Sequence, residues 1–205
     1  MRTSAIAIAL AAMAVPFALT AAPVYAQAAT DAEAEAAAAF IDGLAEDAFA
    51  VIRSGDPKNK ATQDELRGML AENFDVRYIG QYLIRRHRND ITADQYRAYM
   101  NVFPKWVVAT YTNNLFAFND SRLEVIRAIP RGTRGDIEVF TRVIPKSGSP
   151  IDAIWQLRKQ DDEFLIRNLK VSGVNMALTQ EQDFNAYIGR KGFDALVDLM
   201  TRRAA

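Results

Sequence analysis

The chain has 205 residues, half of them hydrophobic and none of them cysteine, with 25 basic and 25 acidic residues and a formal net charge of zero. Balanced charge excludes a nucleic-acid binder that relies on phosphate attraction, because that mode needs a basic surface. The missing cysteines exclude disulfide support and thiolate chemistry, and the one histidine, His87, lacks the partners that a metal site requires, so no metal or cofactor is expected.

The first residues read as an export signal. Arg2 is the positive end, Ala5 to Leu19 is an apolar run interrupted by Pro16, and Val24-Tyr25-Ala26 supplies small residues for cleavage. The run is shorter than the ~20 residues that span a bilayer, which favours a cleaved leader over an anchor. Residues 1–26 are therefore predicted to be a signal peptide, 27–31 a linker and 32–203 a single domain, exported to the periplasm. Loss of Arg2 with the leader leaves one more acidic than basic residue.

Alanine-rich Asp31 to Ser54 is predicted to be helical, with Ala37, Ile41, Leu44, Ala48, Val51 and Ile52 as its buried stripe, and Gly55-Asp56-Pro57 breaks it. Thr62 with Glu65 reads as a capping box for a second helix, which Phe74 closes. Asp75 caps a third, predicted from Asp75 to Arg88, whose Tyr78, Ile79, Tyr82 and Leu83 share a side and whose Arg85, Arg86, His87 and Arg88 suit a C-terminal dipole. Thr92 to Phe118 is the longest helical run. Thr92 and Gln95 form its capping box, Tyr99, Phe103, Val107, Tyr111 and Leu115 its aromatic stripe, and Pro104 a predicted bend. Such a stripe first reads as ordinary core.

The period then changes from helix to strand. Ser121 to Ile129, Asp136 to Pro145, Ile151 to Lys159 and Glu163 to Val171 alternate or are β-branched, with short turns between them, which predicts an antiparallel four-stranded meander. Two short helices follow, with Gly189 and Gly192 bracketing the turn between them. The fold class is α+β: helices packed on one face of a four-stranded sheet, enclosing an apolar pocket.

No catalytic signature is present: there is no nucleophile elbow, phosphate-cradling glycine loop or paired metal ligands. Asp136 and Glu138 share a strand face with Arg142, a pattern of solvated opposite charges. A small cone-shaped α+β enzyme with one pocket carboxylate is the alternative, on analogy of fold alone. The apolar surplus points instead to a carrier.

Phe74-Asp75-Val76-Arg77-Tyr78-Ile79, then Phe103 with Thr110-Tyr111, Pro150-Ile151, Val171-Ser172-Gly173-Val174, and Phe184 with Ile188 and Gly192 occur in an order that resembles the MlaC family of periplasmic lipid-binding proteins. The resemblance runs from about Ala34 to Met200. Two departures, Gly173-Val174-Asn175-Met176-Ala177-Leu178-Thr179-Gln180 and Pro104, bear on pocket shape, and the latter is similar to relatives associated with hopanoid export. The resemblance implies no enzyme activity and a monomeric shuttle for phospholipid, or for a hopanoid-type lipid. Its implied partners are an inner-membrane ABC transporter complex with a lipid-binding ring and an outer-membrane lipoprotein and porin complex, in the upkeep of outer-membrane lipid asymmetry. The expected tail-lining residues are Phe74, Tyr78, Tyr82, Leu83, Phe103, Val107, Tyr111, Leu115, Val139, Thr141, Val143, Val174 and Met176, with Arg85 and Arg86 as headgroup contacts.

Overall fold

The computed structural model describes residues 28–56 and 58–204, apart from the side chains of residues 113, 114 and 117. The predicted signal peptide lies outside the described residues.

Helix α1 (Asp31–Ser54) opens on a capping box: the Thr30 hydroxyl accepts the Glu33 amide at 3.2 Å, while the Glu33 carboxylate accepts the Thr30 amide at 2.9 Å. The helix begins at Asp31, the last residue assigned to the predicted linker, whose first residue lies outside the described ones. At the other end of α1, a Cβ on Gly55 would lie 2.3 Å from the Thr62 side chain, so the chain turns there only without one. That packing keeps Thr62 buried and away from a capping role. Helix α2 (Lys60–Asn73) accordingly starts earlier than its Thr62-Glu65 pattern predicts, on Asn59, whose side chain accepts the Ala61 amide at 2.8 Å.

Asp75 caps α3 (Val76–Leu83) through the Tyr78 amide at 3.0 Å, and the helix stops at Leu83, short of the predicted Arg88. Residues 84–90 form turns instead. The Thr92–Gln95 box opens α4 (Ala93–Leu115) with reciprocal bonds of 3.1 and 2.9 Å, and the last residues of the predicted run form a 3₁₀ turn, Phe116–Phe118. Pro104 lies within α4 on its exposed side and leaves the Met100 carbonyl without a helical donor.

The sheet has five strands rather than four. Strands β1 (Arg122–Arg131), β2 (Asp136–Ile144), β3 (Ile151–Gln160), β4 (Glu163–Val171) and β5 (Val174–Asn175) pair antiparallel in chain order. The two-residue β5 is too short to show alternation in sequence. Beyond it, α5 (Met176–Lys191) runs through Gly189, and only Gly192, at φ 87°, breaks it before α6 (Phe193–Ala204).

Strand register puts Leu123, Val143 and Ile151 in one row, Thr141, Ala153 and Val171 in the next, then Val139, Trp155 and Leu169, then Ile137, Leu157 and Ile166. All four rows face the helices. Two cores result. One joins Ala34, Ala37 and Ile41 of α1 to Ile137, Val139, Leu157 and Ile166 of the sheet. The other is helical and holds Leu83, Tyr99, Phe103, Trp106, Phe184, Phe193 and Leu196. In the helical core, a Cβ on Gly80 would lie 2.8 Å from the Phe103 ring, and the Tyr99 hydroxyl donates to the Gly80 carbonyl at 3.0 Å. Glycine and the tyrosine bond together set how closely α3 approaches α4.

The opposite sheet face is polar. Arg131, Gln156 and Lys170 bond to Glu138 at 2.7, 2.9 and 3.2 Å, and Arg158 pairs with Asp136 and Arg142 with Asp152. Burial pushes the Glu138 carboxyl up, but the bonds from Gln156, Arg131 and Lys170 outweigh it and hold it below the usual carboxylate range. Asp136 and Glu138 are thus bound in charge pairs, but Glu138 is buried rather than solvated as its alternation with Arg142 predicts.

Candidate functional site

Between the two cores lies a cavity of about 430 Å³. The sheet rows nearest the start of β3 supply one wall, with Leu123, Val143, Ile151, Ala153, Trp155 and Val171. The second half of α1 contributes Leu44, Phe49 and Ile52, and α2 contributes Leu66, Met69 and Leu70. Helices α3 and α4 close the far side with Val76, Ile79, Leu83, Phe103, Trp106 and Val107. The volume falls in the usual range for ligand sites, about 300–1,000 Å³.

Polar groups on the wall are few and gather on β4 and α5. The Tyr111 hydroxyl on α4 reaches Gln180 Oε1 on α5 at 3.4 Å, and burial, with a smaller effect from Asp183, raises its pKa. Asn168 accepts the Ala177 amide at 3.2 Å and so fixes the start of α5 against β4. Arg167 occupies a register shift between β3 and β4, a bulge that turns its side chain toward the sheet edge. There its Nε donates to Asp75 Oδ2 at 3.0 Å, and its guanidinium lies 4.4 Å from the Tyr78 ring centre. Arg167 is the one charged residue among the described lining, and no Asp, Glu or His joins it there.

Of the residues expected on the wall, Phe74, Leu83, Phe103, Val107, Tyr111, Leu115, Val143 and Met176 line this cavity. The others lie elsewhere, each for a local reason. Short helix α3 turns Val76, Ile79 and Leu83 inward, so Tyr78 and Tyr82 stack on each other outside at 6.4 Å, with Tyr78 40% exposed. Val139 is sealed beneath α1 in the sheet-side core. Thr141 is buried within the sheet, where its hydroxyl accepts the Trp155 indole N–H at 2.9 Å and so orients a lining residue. Val174, in β5, faces outward.

Arg85 and Arg86 are not on the wall. Arg85 Nη2 and Arg86 Nε approach the two oxygens of Glu181 at 2.9 and 3.1 Å, as ionic contacts rather than aligned hydrogen bonds, and Arg85 also covers the Tyr82 ring at 3.9 Å. Glu181 is 1% exposed, so the two cations neutralise a buried carboxylate and hold the turn after α3 to α5. His87 adds a 2.9 Å bond to Asn185 across the same junction.

Sequence reasoning missed the walls from α1 and α2, both tryptophans and Arg167. Periodicity in α1 marks a buried stripe, but one stripe serves two ends: Ala34, Ala37 and Ile41 meet the sheet, while Leu44 to Ile52 meet the cavity.

Comparison with known proteins agrees with this architecture. A phospholipid-binding protein from Ralstonia solanacearum, solved in complex with a phospholipid, superposes with a TM-score of 0.64 at 18% identity, covering 82% of this chain and 96% of that one. The family model described as MlaC protein matches residues 42–202, which takes in every wall of the cavity except Ile41. With that match over most of its length, the chain belongs to the MlaC family.

Proposed function

We propose that the protein is a periplasmic phospholipid carrier: acyl tails occupy the cavity between sheet and helices, and the loaded protein shuttles between outer-membrane and inner-membrane transport complexes. The observation that carries this reading is the cavity itself, about 430 Å³ with predominantly apolar walls. Membership of the MlaC family and the likeness to a protein solved with phospholipid support the ligand class. Among the described residues no helix is long and apolar enough to cross a membrane, which suits a protein that carries lipid through water.

The energetics favour a carrier. Each buried methylene is worth ~0.8 kcal/mol, so a lipid with roughly thirty of them crosses water at a negligible rate unaided. Walls such as Phe103, Val107 and Val143 replace that water and remove most of the barrier. Release then requires a partner that offers equivalent apolar surface, because affinity of this kind resides in slow dissociation.

Native mass spectrometry and lipid extraction of protein purified gently from its host test the proposal. Phospholipid bound in about equimolar amount is expected. Protein that arrives without lipid, and takes up none from phospholipid vesicles, contradicts it; a bound hopanoid-type lipid would keep the carrier role and change the cargo.

A further inference from the structure

We propose that Arg167, flanked by Asn168 and Gln180, takes the phosphate of the lipid headgroup, so that the cargo lies with its head at the edge formed by β4, α3 and α5 and its tails running toward α1. The inference rests on the carrier reading and adds an orientation to it.

An amphiphile needs a cavity with two unlike ends, and the polar lining provides one. Arg167, Asn168 and Gln180 come together on β4 and α5, whereas the wall from α1, α2 and the start of β3 is apolar. The polar end also meets solvent: the Arg167 side chain is 15% exposed and stacks on Tyr78, itself 40% exposed. Val174 and Leu178, at the entry to α5, are exposed beside the lining residues Met176 and Ala177.

The guanidinium is oriented but not used up. Asp75 takes its Nε–H, and Asp75 is itself fixed, because its other oxygen caps α3 and its amide donates to the Ile166 carbonyl at 2.9 Å. The two terminal nitrogens of Arg167 have no acceptor among the described residues, which leaves one edge of a planar fork for the two oxygens of a phosphodiester. Arg85 and Arg86, in the turn after α3, are committed to Glu181.

The test compares dioleoylphosphatidylglycerol with dioleoylglycerol, which shares its tails and lacks phosphate. Each is offered in detergent micelles to delipidated protein, with bound lipid counted by native mass spectrometry. Wild-type protein should favour the phospholipid. Arg167→Gln should lower the ratio of phospholipid to diacylglycerol uptake by roughly 10- to 100-fold, the worth of a charge-assisted hydrogen bond, and Arg167→Lys, which keeps the charge and loses the fork, should fall between. Arg142→Gln, which removes an arginine from the opposite, polar sheet face, should leave the ratio unchanged. A ratio that Arg167→Gln leaves alone, both lipids being lost together, would mean a structural strap, and a ratio that Arg142→Gln lowers as far would mean a non-specific effect of charge; either overturns the proposal. Inorganic phosphate that binds at Arg167, while lipid ratios ignore the substitution, would assign the site to free anions and overturn it equally. Wild-type protein that takes up neither lipid would instead refute the carrier reading beneath it.

Discussion

Gly80 and Tyr99 show how single residues fix the helical side of the cavity. A methyl at position 80 would press on the Phe103 ring from 2.8 Å, and a ring packed in a buried core yields little. Gly80→Ala should therefore destabilise the protein by about 1–3 kcal/mol, seen as a lower melting temperature. Tyr99→Phe removes the bond to the Gly80 carbonyl and should cost about 1 kcal/mol. Burial, with a minor effect from Tyr96, raises the Tyr99 pKa well above its ordinary value. The unfolded chain then releases that proton first, so stability from this group is intact below about pH 10 and falls as pH rises above it. Denaturant midpoints across that range should drop less steeply in Tyr99→Phe than in wild type. Glu138 works in the opposite direction: its depressed carboxyl contributes stability above the usual carboxylate range, lost as pH falls through the folded value, and Glu138→Gln should flatten that acid slope. None of these pairings is legible in sequence, because Gly80 and Phe103, or Glu138 and Gln156, meet only after folding.

Elements were legible where local chemistry decides them and obscure where a neighbour does. The Thr92–Gln95 box and the Asp75 cap read directly, since both satisfy backbone donors within one turn. The same pattern at Thr62 and Glu65 misleads, because Gly55 claims the Thr62 side chain for packing. The cations at 85, 86 and 88 look like a helix terminus, yet two of them serve Glu181, a residue almost a hundred positions later. An asymmetry follows from their exposure, 41% for Arg85 and 67% for Arg86 against 1% for Glu181. Replacing both arginines with alanine strands a buried carboxylate and should cost about 3–5 kcal/mol, whereas Glu181→Gln leaves two cations that water can solvate and should cost much less. Chemical denaturation of the two variants checks this. Pro104, on the exposed side of α4, should be dispensable for the cavity: Pro104→Ala restores a helical donor and should raise stability by up to about 3 kcal/mol with lipid occupancy preserved.

At the scale of the whole molecule, one apolar sheet face carries two covers, and that division creates the cavity. Alternation along β2 and β3 reveals the face, but Val139 and Val143 are equivalent in sequence; α1 seals the first and leaves the second open to the cavity. The fold class was therefore legible, the α4 wall was legible from its stripe, and the walls from α1 and α2 were not, since helix direction over the sheet is a tertiary fact. The chain contains two tryptophans, Trp106 on α4 and Trp155 on β3, and both line the cavity from opposite sides. They make the central claim directly measurable. Loading with phospholipid whose acyl tails carry bromine should strongly quench the fluorescence of both, each read singly in a variant with the other tryptophan replaced by phenylalanine. Quenching of neither, in protein that demonstrably holds the brominated lipid, would place the tails outside the cavity and contradict the account.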